Sequence, residues 1–240
     1  MTARRAVLAL VTLIVSSVLL GACRVDSLVD VEVSENGSGT VTATVTLDPD
    51  AAKQLGDPSK VLTNDLTDAG WQVEAPATDP GGAVTFVARR PFASPEELPA
   101  VLDEVAGAGA FIRETDLTVT SGQLGTDYSF SGRLVSSGDV AALSDAELTN
   151  VLDGLAVGRT PEELRQLGAE DPTSASLTVQ VALPGGEPQR WSVPVTGGAP
   201  AEVAMAATSS RISPARLVPL VVGVALLLGA VVFALVRRRR

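Results

Sequence analysis

The chain has 240 residues, 45% of them apolar, a formal net charge of −10, one cysteine and no histidine. Without histidine it cannot build a Ser–His or Cys–His nucleophile system or a zinc site of ordinary type, and a lone cysteine cannot close an internal disulfide. Six of the 18 basic residues lie in 1–23 and 217–240, leaving 12 basic against 28 acidic residues between them, a formal −16, which excludes a nucleic-acid partner because that needs a basic patch to displace counterions.

The chain begins with Arg4 and Arg5, an uncharged apolar run over Ala6–Leu20, and then Leu20-Gly21-Ala22-Cys23. This is the layout of an export signal (1–22) closed by a lipobox, with Cys23 as the residue that receives the lipid. Val29–Val33 alternates apolar and acidic residues, which predicts a strand with one wet face. Glu35–Gly39 is turn chemistry. Thr40–Leu47 then alternates threonine with Val41, Ala43, Val45 and Leu47, and completes the clearest hairpin of the chain. Asp48-Pro49-Asp50 is a helix start, with one short turn over Ala51–Leu55. A better helix follows Ser59, with Val61, Leu62, Leu66 and Ala69 on one face and Gly70 at its end.

Trp71–Glu74 is a short strand, Thr78–Gly82 a loop, and Ala83–Arg90 a strand with Val84, Phe86 and Ala88 on one side. Ser94-Pro95-Glu96-Glu97 opens a helix whose buried stripe is Leu98, Val101, Leu102 and Val105. Phe111–Thr120 and Asp127–Val135 form a second hairpin. Helical spacing returns over Asp139–Leu155, and Thr160-Pro161-Glu162-Glu163 starts another helix to Leu167. Thr173–Leu183 and Gln189–Val195 pair around Gly185-Gly186. Residues 197–216 are small and polar and are expected to be a flexible tether, in which Glu202–Ala207 is the one run able to add a strand. Leu217–Val236 carries no charge for 20 residues, about the length that spans a bilayer. Arg237–Arg240 follow as a cytoplasmic stop. Residues 23–196 are therefore expected to form one α+β domain outside the cytoplasm: a curved, mostly antiparallel sheet of about seven strands with three or four helices packed on one face.

Catalytic signals are weak. Glu96/Glu97 and Glu162/Glu163 are the obvious carboxylate pairs, but both stand in first helical turns, where the helix dipole favours acids. Asp48, Asp50 and Asp57 lack the spacing of a calcium loop. No Gly-rich phosphate loop stands at a strand-to-helix junction. No cofactor, metal or catalytic residue is expected. Arg89 and Arg90 are the one local basic cluster of the exported part and the candidate rim for a phosphate-bearing ligand. Val41, Val45, Phe86, Phe111 and Phe130 are the candidate lining of an apolar cavity.

Gly39–Val45, Ala69–Val73 and Phe86–Phe92, in this order between a lipobox and a C-terminal anchor, resemble the LppM family of actinobacterial lipoproteins over about residues 20–190. The resemblance implies a membrane-tethered domain with an apolar cavity for cell-envelope lipids of the phosphatidylinositol-mannoside type, and no catalytic residues. Three function classes follow: a lipid-handling lipoprotein, an interaction module docking a partner in an envelope complex, and an enzyme of unrecognised carboxylate type. The first is the leading expectation and the second its alternative. The partners expected are the membrane and an envelope lipid. Replacing the lipid acceptor tests the N-terminal reading: Cys23→Ala is expected to leave a full-length precursor that takes up no labelled fatty acid, and unchanged labelling would refute it.

Overall fold

The computed structural model describes residues 24–60, 64–106, 111–137, 175–195 and 199–212. The export signal, Cys23, the helices expected at Asp139–Leu155 and Thr160–Leu167, and Leu217–Arg240 lie outside the described residues. Among the described residues no helix is long and apolar enough to cross a membrane.

The strands are β1 (Val25–Val33), β2 (Gly39–Leu47), β3 (Gln72–Val73), β4 (Ala77–Thr78), β5 (Val84–Phe92), β6 (Ile112–Ser121), β7 (Gly125–Ser136), β8 (Ala175–Ala182), β9 (Gln189–Pro194) and β10 (Ala201–Ile212). The helices are α1 (Pro49–Leu55), α2 (Asn64–Asp68) and α3 (Leu98–Ala106). A seven-stranded sheet runs β3-β5-β2-β1-β8-β9, with β4 also on β5, and a three-stranded sheet runs β10-β7-β6. All pairs are antiparallel except β1 with β8. The mixed α+β class expected from the sequence holds. The single curved sheet does not: a second sheet, with α3 beside it, covers the inner face of the first.

The cause lies in two segments. The hairpin of β6 and β7 pairs with nothing in the large sheet and builds its own layer. The expected tether is corrected too, because Ala201–Ile212 pairs along its whole length with β7. Its alternate residues Met205 and Ala207 turn into the core. Small side chains hid this strand from a reading by hydrophobicity, although Glu202–Ala207 marked half of it.

Local chemistry sets the remaining elements. Asp48 Oδ1 accepts from the N–H groups of Asp50 (3.1 Å) and Ala51 (2.7 Å) and caps α1. Gly37 (φ 86°) makes the β1–β2 turn. Cross-strand registers place Val29, Val31, Val41, Ala43, Ala88, Val179 and Val181 on one face of the large sheet. That face, the inner face of β6, β7 and β10, and Leu98, Val101 and Leu102 of α3 form one core. Phe130 of β7 and Trp191 of β9 join the two sheets, their ring centroids 6.4 Å apart. Gly39 allows the Phe92 ring to lie on the backbone: a Cβ there would stand 2.1 Å from the Glu32 carbonyl and 2.4 Å from that ring. Gly39→Ala is therefore expected to destabilise by about 1–3 kcal/mol through overpacking, and Leu102→Ala, at a fully buried position, by about 2–5 kcal/mol. Denaturant unfolding of residues 24–212 measures both. A change near zero at either position would contradict the packing described.

Candidate functional site

The expected cavity lining divides into two groups. Val41 and Phe130 are fully buried in the core, and Phe111 packs half-buried against it. These three are core residues, not the wall of an open cavity. Val45 and Phe86 face each other across β2 and β5. They lie on the inner face of the large sheet beyond the core and are half-buried. Register puts Leu47 and Val84 beside them, and Val25 next to Leu47. The capped helix α1 folds against this corner, where Val84 and Ala52 are buried, and Gly82 sits over Pro49. The result is an apolar shelf of Val25, Val45, Leu47 and Phe86 at the end of the sheet where β1 begins.

Arg89 and Arg90 do not form a common rim, because adjacent residues of a strand point to opposite faces. Arg89 lies on the outer face and pairs with Glu74, both about half exposed. Arg90 lies on the inner face and pairs with Glu104 of α3. The same Glu104 carboxylate oxygen accepts a bond from Trp71 Nε1 at 3.1 Å. Glu104 thus ties α3 to β5 and to the segment leading into β3. No sequence signal marked Glu104, since its partners stand 14 and 33 positions away.

The carboxylates weighed in the sequence serve local structure. Glu97 Oε2 accepts from the Ala93 N–H at 2.8 Å. The Ser94 side chain hydrogen-bonds Glu96 and holds its carboxyl below the ordinary glutamate value. Asp50 pairs with Lys53, and its hydrogen bond and charge raise the lysine pKa. Asp57 accepts from the Ser59 N–H and hydroxyl. Glu162 and Glu163 lie outside the described residues. Among the described residues no three His, Cys, Asp or Glu side chains gather as a metal site.

A cleft of about 450 Å³ lies at the opposite end of the large sheet, between the β1–β2 and β8–β9 turns. Glu32, Ser34, Ser38, Thr40, Leu183 and Pro184 are among its lining residues. It is mainly polar, and none of the expected site residues reaches it.

The described residues thus form a two-sheet α+β domain with an apolar shelf at one end and a polar cleft at the other. No family model matches the chain, and no curated protein matches it. Among solved structures it is similar to the NMR structure of the folded domain of the Mycobacterium tuberculosis LppM protein, with 16% identity over 80% of this chain and 92% of that one and a TM-score of 0.41.

The two arginine pairs are expected to differ in weight. Glu104→Ala strands the indole N–H of Trp71, which is only 3% exposed, and is expected to cost about 1–3 kcal/mol. Glu74→Ala opens a solvated pair and is expected to cost no more than about 1 kcal/mol. Unfolding free energies of the two variants, with Trp fluorescence as the probe, check the ranking. Equal costs would refute it.

Proposed function

We propose that this chain is an exported protein held to the cell membrane by its two ends, and that its domain handles amphiphilic envelope lipids without catalysis. The observation that carries this reading is the apolar shelf. Val25, Val45, Leu47 and Phe86 offer neighbouring half-buried apolar side chains on the inner face of the large sheet, outside the main core. The shelf lies at the end of the sheet where β1 begins, two residues after Cys23. An acyl chain lying there would gain roughly 0.8 kcal/mol for each CH₂ removed from water. Orientation follows from the flanking arginines: Arg4, Arg5 and Arg237–Arg240 stay in the cytoplasm, and the domain faces the outside. The ligand class to test first is the one that the sequence resemblance implies, the phosphatidylinositol mannosides. Headgroup selectivity is not assigned to Arg89 or Arg90, since each already holds a carboxylate.

Titrating residues 24–212 with a phosphatidylinositol mannoside, and separately with a plain phospholipid, is expected to shift the amide signals of Val45, Leu47 and Phe86. Phe86→Ser is expected to weaken binding by about tenfold, the equivalent of ~1.4 kcal/mol. Shifts at the polar cleft, or no shifts at all, would overturn the lipid reading and leave the interaction module in its place.

A further inference from the structure

The two segments read as membrane anchors attach to opposite ends of the domain. Cys23 precedes Arg24, whose N–H and C=O both bond Asp48, at the end where β1 starts and β2 stops. The other anchor, Leu217–Val236, follows β10. The last residues of β10 sit at the far end of β1. Arg211 pairs with Glu35 of the β1–β2 turn at 2.9 Å. The Ser209 hydroxyl donates to the Pro184 carbonyl in the β8–β9 turn at 3.0 Å. Ile212 lies opposite Gly125 at the start of β7, and Tyr128, three residues on, donates its hydroxyl to the Glu35 carbonyl at 2.7 Å.

The separation follows from strand geometry. At roughly 3.3 Å per residue, the run from Arg24 to Ser34 is about 30 Å long. Five Cα steps connect Ile212 to Leu217, a reach of at most about 17 Å. A domain standing on its Arg24 end would lift Ile212 about 30 Å from the lipid, beyond that reach. A domain standing on its Ile212 end would lift Arg24 equally far, and Arg24 is bonded directly to Cys23.

We infer that the domain lies along the membrane, with β1 inclined by no more than about 35° to the bilayer plane, so that both ends touch lipid. A second observation agrees. Ile212 (63% exposed) and Leu124 (50%) are the most exposed large apolar side chains among the described residues. Both lie at this end of the small sheet, since Leu124 immediately precedes the Gly125 that pairs with Ile212. This apolar tip is at the end from which the chain departs for Leu217. Its partner is the interfacial layer of the bilayer, where exposed aliphatic groups are buried. Lying flat also brings the Val25–Phe86 shelf at the other end level with the lipid.

The inference rests on the double anchoring proposed above, and the test separates the two. Lipidation consumes the only cysteine of the chain, so an introduced cysteine is a unique label site. The full-length lipidated protein, reconstituted in phospholipid vesicles, is labelled with a fluorophore at Asp50→Cys in α1, beside Arg24, or at Gln123→Cys, beside Leu124. Spin-labelled headgroups then act as the quencher. Loss of fluorescence is expected at both sites. Quenching at one site only, or at neither in protein that still sediments with the vesicles after carbonate washing, overturns the flat orientation. Protein that carbonate releases overturns the double anchoring itself, and the orientation with it.

Discussion

The parallel ladder between β1 and β8 is the constraint on which the fold depends. It joins Val25–Glu32 to Ala175–Ala182, strands separated by 150 positions in the chain. Parallel neighbours cannot be connected by a hairpin. The chain must leave the large sheet after β5 and return to it from elsewhere, and on that excursion it builds α3 and the β6–β7 layer that covers the sheet. The ladder is fastened on its wet face as well, where Ser176 donates to Asp26 and Gln180 to Asp30. Loop-closure entropy opposes so distant a pairing until the strand is docked, so β8 is expected to join late in folding.

Stability then comes from burial rather than from charge, although the chain is strongly acidic. Most ion pairs among the described residues are solvated: Arg24–Asp26, Lys53–Asp50, Arg89–Glu74 and Arg211–Glu35 each expose about half or more of their side chains. Such pairs contribute little individually. On the outer face of the small sheet Arg133 reaches both Glu114 and Glu202, across all three strands. The Glu202 hydrogen bond and the Glu114 charge raise its pKa further. Among the described residues Arg24, Arg89, Arg90, Arg133 and Arg211 are each paired with a carboxylate.

Local rules found most of the elements. The first hairpin was legible because threonine alternates with Val41, Ala43, Val45 and Leu47 along β2. The helix starts at Asp48 and Ser94 were legible because Asp-Pro-Asp and Ser-Pro-Glu-Glu act through the residues next to them, although only the Asp48 side chain makes a cap hydrogen bond. Where the signal weakened, so did the reading. β10 is mostly Ala, Ser and Thr, and its strand character comes from pairing with β7 rather than from its own hydrophobicity. The candidate site was half legible for a related reason. Alternation identified Val41, Val45, Phe86 and Phe130 as inward-facing, but not which of them another layer would cover.

The sequence by itself determined the α+β class, the order of the strands along the chain, the caps and the composition that removes histidine and disulfide chemistry, because these depend on residue type and on neighbours within a few positions. Only the tertiary structure decided that there are two sheets, that Arg89 and Arg90 face apart with Glu74 and Glu104 as partners, and that the two ends of the domain lie at opposite ends of β1. Those outcomes depend on pairings over tens of residues, where the register of one strand against another, rather than any local propensity, fixes which groups meet.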